Sequence, residues 1–169
     1  ITGHESAYTD ASKTKPLYTY SAGDITAAYH SNTVSYVGRR MLTVFTGDAE
    51  FPMVFFVFDD ITAKQASFEK RFLLQISSPN APTVNNTDKT VVTENGSGRL
   101  VLTSLTDTVK LNSYGGRNSG SYDASKSQNY LVNGKQIAPN DVTRDDGHWG
   151  RVEITLASTK ASITFMNVI

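Results

Sequence analysis

At 169 residues the chain has the length of one domain, one that buries roughly 70% of its unfolded surface and so needs no covalent staples. It has no cysteine, which excludes a disulfide framework and thiolate chemistry, and its sixteen basic residues balance sixteen acidic ones, which argues against a whole-molecule field drawing it to nucleic acid or an anionic membrane. Only 19% of residues are charged and no apolar run approaches roughly 18 residues, a composition expected of a periplasmic or secreted β-protein with no membrane-spanning helix.

Strand patterns recur from the start. Residues 17–20, 25–29 and 34–46 read as strands. Met53-Val54-Phe55-Phe56-Val57-Phe58 is apolar without alternation, so that strand should be central and covered on both faces. Residues 67–76 place Phe68, Phe72, Leu74 and Ile76 on one face, with Lys70 interrupting, and Glu69, Arg71 and Gln75 on the other. Further strands are expected at 90–93, 99–105, 109–111 and 130–132. Near the end, Val152, Ile154 and Leu156 alternate with Arg151, Glu153 and Thr155, and a short polar link leads into 163–169, which together read as a C-terminal hairpin.

Turn chemistry separates these runs at Gly47-Asp48, Ser78-Pro79-Asn80, Asn95-Gly96, Asn133-Gly134, Pro139-Asn140 and Asp146-Gly147. Residues 112–129 are rich in Gly and Ser and lack a pattern, as a functional, disordered or interface segment would. The expected fold is all-β, a two-layer antiparallel β-sandwich spanning 1–169 as one domain. The chain begins at Ile1 and stops inside an apolar run, so it is expected to be a C-terminal fragment of a longer multidomain protein.

Sharp enzymatic signatures are missing: there is no phosphate-cradling loop, dinucleotide fingerprint, HExxH or GxSxG. Gly96-Ser97-Gly98 reads as a hairpin turn because no helix follows it. His4, His30 and His148 are too far apart in sequence for a local metal triad and read as turn histidines. Arg39 and Arg40 are adjacent on a strand and so point to opposite faces, with Arg71 expected on the same sheet as one of them. Such a cluster could hold an acidic sugar, since a guanidinium grips a carboxylate at two points. The alternative is a surface ion pair with Glu69 or Asp59.

The order of several segments resembles the β-sheet domain of heparinase II/III-like polysaccharide lyases and their oligo-alginate lyase relatives. Gly23-Asp24-Ile25-Thr26 with Tyr29 is similar to one family strand. Arg39–Val44 followed by Val54–Ile61, with its Asp59-Asp60, resembles a pair of family strands, and Phe68–Gln75 a further strand. Tyr130–Lys135 around Asn133-Gly134, then Gly147-His148-Trp149 and Phe165-Met166-Asn167-Val168, resemble the closing elements.

The resemblance implies β-elimination on uronic-acid polysaccharides of the heparin, heparan sulfate or alginate kind. The catalytic Tyr and His would lie on an α/α toroid domain preceding this stretch. On that reading the chain holds no catalytic residue. Its partners are the acidic polysaccharide and the toroid, with no nucleic acid and no membrane. Residues for the polysaccharide are His30, Arg39, Arg40 and Arg71. Some family members bind a structural metal in the sheet domain, and Asp24 is the carried-over ligand. Gln75 stands where the family has a histidine, and an amide is a poor zinc ligand, so no cofactor is expected. The competing readings are a carbohydrate-binding module with Tyr114, Tyr122 and Tyr130 as an aromatic platform, and a structural β-sandwich.

Overall fold

Period-two alternation yields antiparallel strands throughout the computed structural model, which describes residues 3–78, 80–115, 130–132, 135–137 and 150–169. In chain order these are β1 (Gly3–Tyr8), β2 (Pro16–Asp24), β3 (Val34–Phe45), β4 (Met53–Ala63), β5 (Arg71–Ile76), β6 (Thr83–Asn85), β7 (Thr90–Asn95), β8 (Gly98–Ser104), β9 (Val109–Gly115), β10 (Tyr130–Val132), β11 (Lys135–Ile137), β12 (Gly150–Leu156) and β13 (Ser162–Val168). They form an eight-stranded sheet ordered β1-β2-β3-β4-β13-β8-β7-β6, a three-stranded sheet ordered β5-β12-β9, and the pair β10-β11. The fold is all-β and belongs to the β-sandwich class, as alternation implied.

The chain divides into two compact units. The first comprises Ile1–Lys70, Leu102–Thr108 and Leu156–Ile169, the second Arg71–Val101 and Val109–Thr155. In the first unit β4 lies inside the sheet, paired with β3 on one side and β13 on the other, as its unbroken apolar run predicts. One face carries Val37, Val57 and Phe165, all buried. The other carries a row of partners running across four strands, Tyr20–Leu42–Phe56–Val168, each half-buried. That face also holds the paired Arg40 and Asp60, so β4 is central in the ladder with one buried face and one half-buried, partly polar face.

Two strand ends depart from expectation for local reasons. Residues 25–29 form no strand; Thr26–Ala28 is a 3-10 turn. The Asp24 carboxylate accepts the Thr26 N–H at 2.9 Å and the Thr26 hydroxyl accepts the Val37 N–H at 2.9 Å. Side-chain bonds of this kind replace the ladder and curl the chain. Residues 67–70 likewise stand outside β5. Lys70, 6% exposed, donates from Nζ to the carbonyls of Ala66 (3.2 Å), Phe68 (2.7 Å) and Lys160, and the loop wraps around this ammonium.

The expected C-terminal hairpin is also absent. β12 pairs with β5, whereas β13 pairs with β4 and β8. The intervening link lacks the two-residue Gly turn of a tight hairpin and instead ties down elsewhere: Ala157 N–H donates to Thr108 O at 2.9 Å, and Ala161 O accepts Ala63 N–H at 2.9 Å. Where turn glycines were predicted, Gly47 and Gly96 take φ of 73° and 59°. Gly38 serves a different purpose. The Tyr36 phenol lies across it, and a β-carbon there would collide with the phenol oxygen.

The β1–β2 loop is organised by one side chain. The Asp10 carboxylate accepts from the hydroxyls of Ser12 and Thr14 and from the N–H groups of Thr14 and Lys15, the last two at 3.0 Å. The Ser12 hydroxyl is the largest influence, followed by the Thr14 hydroxyl, and together they hold the Asp10 pKa at about 2. A depressed carboxylate stabilises the fold above its unfolded value of 3.8, and the contribution disappears as pH falls through about 2. Carbon-detected NMR of Asp10 should give a midpoint near that lower value, and Asp10→Asn should abolish this part of the acid sensitivity. A midpoint at the ordinary aspartate value would show that the loop is not closed in solution.

In the second unit β12 is the middle strand of its sheet and is buried on both faces, with Val152 and Ile154 on one and Glu153 and Thr155 on the other. Phe72 and Ile76 of β5 and Val109 and Leu111 of β9 are buried as well. The Asn86 side chain imitates a strand, donating from Nδ2 to Leu111 O at 3.0 Å and accepting the Leu111 N–H at 2.8 Å.

Candidate functional site

In the first unit the ladder places Arg39 between Gly23 on β2 and Asp59 on β4, all on the same face. Arg39 donates from Nε to Asp59 Oδ1 and from Nη2 to Asp59 Oδ2, both at 2.6 Å, a two-point grip on a carboxylate that is 5% exposed. Asp59, first among the influences, raises the Arg39 pKa, and the exposed Tyr29 phenol adds a smaller pull in the same direction. One step along, Arg40 points to the opposite face, as strand alternation requires, and pairs with Asp60 at 2.7 Å. Asp60 in turn accepts from the Thr164 hydroxyl at 2.6 Å. The ion-pair reading of Arg39 with Asp59 therefore holds, although its carboxylate is buried rather than on the surface.

His30 is exposed and follows the 3-10 turn. Its Nδ1 accepts the Asn32 N–H at 3.2 Å. Its carbonyl accepts the Thr33 hydroxyl at 2.7 Å. Asp24 is exposed, and its pKa is lowered first by the Thr26 hydroxyl and then by the Thr26 N–H. Its carboxylate caps the turn. Among the described residues there is no group of three or more His, Asp or Glu placed to hold a metal ion.

Arg71 does not share a sheet with Arg39 or Arg40, contrary to expectation: it begins β5, in the three-stranded sheet. Residues 67–70 leave the strand to wrap Lys70, so β5 starts three residues after Phe68 and joins β12 instead. Arg71 Nη1 lies 3.1 Å from Glu153 Oε2, while Arg151 Nε donates to Glu153 Oε1 at 2.6 Å. Arg151 also packs over the Tyr114 ring at 5.2 Å. Gln75 is the ladder partner of Arg151. The Tyr114 ring is thus engaged within the protein; Tyr122, His148 and Trp149 lie outside the described residues, as does the side chain of Tyr130.

Sequence reasoning missed two centres. Glu153 binds two guanidiniums at once, and its signal was a charge between two fully buried residues, Val152 and Ile154, with arginine two positions before it. Lys70 was visible only as a break in an apolar face. It borders an open cavity of about 330 Å³ lined by residues 66–70 and 156–160.

No protein-family model matches the chain, and no curated protein does.

Proposed function

We propose that the chain is the β-sheet part of a polysaccharide lyase acting by β-elimination on uronic-acid polysaccharides, working in the periplasm or outside the cell. In that reaction a base removes the proton beside the sugar carboxylate, a cationic or hydrogen-bonding group relieves the charge on that carboxylate, and an acid protonates the leaving oxygen. The sheet lends a wall to the polysaccharide cleft, and the base and acid come from an α/α toroid domain of the same protein packed against it.

The observation that carries this reading is the row Tyr20–Leu42–Phe56–Val168, half-buried on one sheet face and bordered in the next row by Phe58 and Met166, with the charged Arg40 beside Phe58. Independent monomers rarely leave a broad apolar face to solvent, whereas a sheet backing another domain must have one. The segment resemblance supplies the chemistry and the identity of the covering domain. The test compares this chain with the full-length gene product on alginate, heparin and heparan sulfate, following the absorbance of the unsaturated uronide. The full-length protein is expected to turn over at least one of them and the isolated chain none. Turnover by the isolated chain, or an inert full-length protein, overturns the reading.

A further inference from the structure

The guanidinium of Arg39 is held along one edge only. Nε and Nη2 both bind the buried Asp59 carboxylate, so two parallel bonds fix the plane and direction of the fork. The side chain is nevertheless 42% exposed. Two N–H groups on Nη1 and one on Nη2 remain, and they meet no further acceptor among the described residues. Because the inner edge is turned to Asp59, these donors form the edge facing away from it.

The neighbourhood keeps that edge accessible. Gly23 is the ladder partner of Arg39 on β2 and contributes no side chain over it. Tyr29, 49% exposed, lies within electrostatic reach on the segment that leaves β2. The other arginines are placed differently. Arg40 has a single 2.7 Å contact to Asp60 on the opposite face, and Arg71 shares Glu153 with Arg151. Arg39 is gripped at two points by one buried carboxylate, the arrangement that presents a second planar edge already oriented.

We propose that Arg39, positioned by Asp59, receives the carboxylate of a hexuronate residue through two parallel N–H···O bonds from Nη1 and Nη2. The choice of a hexuronate rests on the polysaccharide reading above; the fit to a planar carboxylate rests on the geometry. Asp59 balances the charge of Arg39, so recognition depends on fork geometry more than on net attraction, and binding is expected to be weak and selective.

The test is an NMR titration of this chain with tetrasaccharides containing glucuronate or mannuronate, and with their carboxyl-reduced forms. The expected result is a shift of the Arg39 Nε–H resonance and of the Gly23 and Arg39 amides with the uronate sugars alone. Arg39→Lys keeps a cation beside Asp59 but lacks the fork, and should weaken binding at least tenfold. The shift map of the unmodified chain stands as a separate readout should that variant fold poorly. Shifts confined to other residues, equal shifts with the carboxyl-reduced sugars, or unaltered affinity in Arg39→Lys would overturn the assignment while leaving the lyase reading in place. Absence of any shift would also overturn it, and the turnover assay on the full-length protein then decides the lyase reading by itself.

Discussion

Replacing Glu153 by alanine should lower the unfolding free energy by about 3–5 kcal/mol, the usual cost of removing one partner from a buried ionic cluster. Glu153 is 4% exposed at the middle of β12, between two residues with no exposure at all. Its two carboxylate oxygens serve different guanidiniums, Arg151 at 2.6 Å and Arg71 at 3.1 Å, and the Arg151 side chain is itself only 12% exposed. Alanine would leave the largely buried Arg151 guanidinium, and the half-exposed Arg71 guanidinium near it, without the Glu153 carboxylate between them. Glu153→Gln keeps the shape and one acceptor oxygen but not the charge, so it should fall between the parent and Glu153→Ala. Denaturant titration at constant slope measures both. A loss under about 1 kcal/mol for alanine would mean that the cluster is solvated and that the burial logic fails.

Lys70→Met is the second large effect, expected to cost about 3 kcal/mol from a charged donor's hydrogen bonds and the carbonyls left behind. Methionine has nearly the length of lysine and fills the same space. What it cannot do is donate to Ala66 O, Phe68 O and Lys160 O. Burial pushes the Lys70 pKa down, and three carbonyl oxygens around Nζ oppose that by favouring the charged form. Because the cage joins the loop before β5 to the link after β12, amide hydrogen exchange should quicken in residues 64–70 and 157–161 of the variant. Unchanged exchange in both segments would show that the ammonium is not what holds them together.

Much of the fold was legible because alternation is a local signal. The placement of β2, β3, β7, β8 and β13 follows from short strand-like runs bounded by turn residues, that of β4 from an unbroken apolar run, and the Gly47 and Gly96 turns from residues that tolerate positive φ. What failed was the part decided by single polar side chains. Asp24 and Thr26 end a strand that propensity would continue, and Lys70 delays one by collecting carbonyls. Neither effect has a period, so no pattern reveals it. Pairing was harder again. The link 157–160 reads as a hairpin turn, and only the assembled ladders show β12 and β13 choosing different partners. At the candidate site, strand alternation gave the opposite directions of Arg39 and Arg40. Asp59 was one of two carboxylates the sequence offered to the arginines, and strand register, a long-range property, made it the partner of Arg39; the position of Arg71 depended on where β5 begins.

The Tyr36 ring lying over Gly38 makes two positions on β3 answer to each other. A methyl group at 38 would meet the phenol first, so the tyrosine would have to swing into solvent or give way to something shorter. Across diverging sequences the pair should therefore change in concert, a bulky residue at 36 accompanying glycine at 38 and a small one releasing it. Such coupled drift would trace the descent of this strand even where overall similarity has decayed beyond detection.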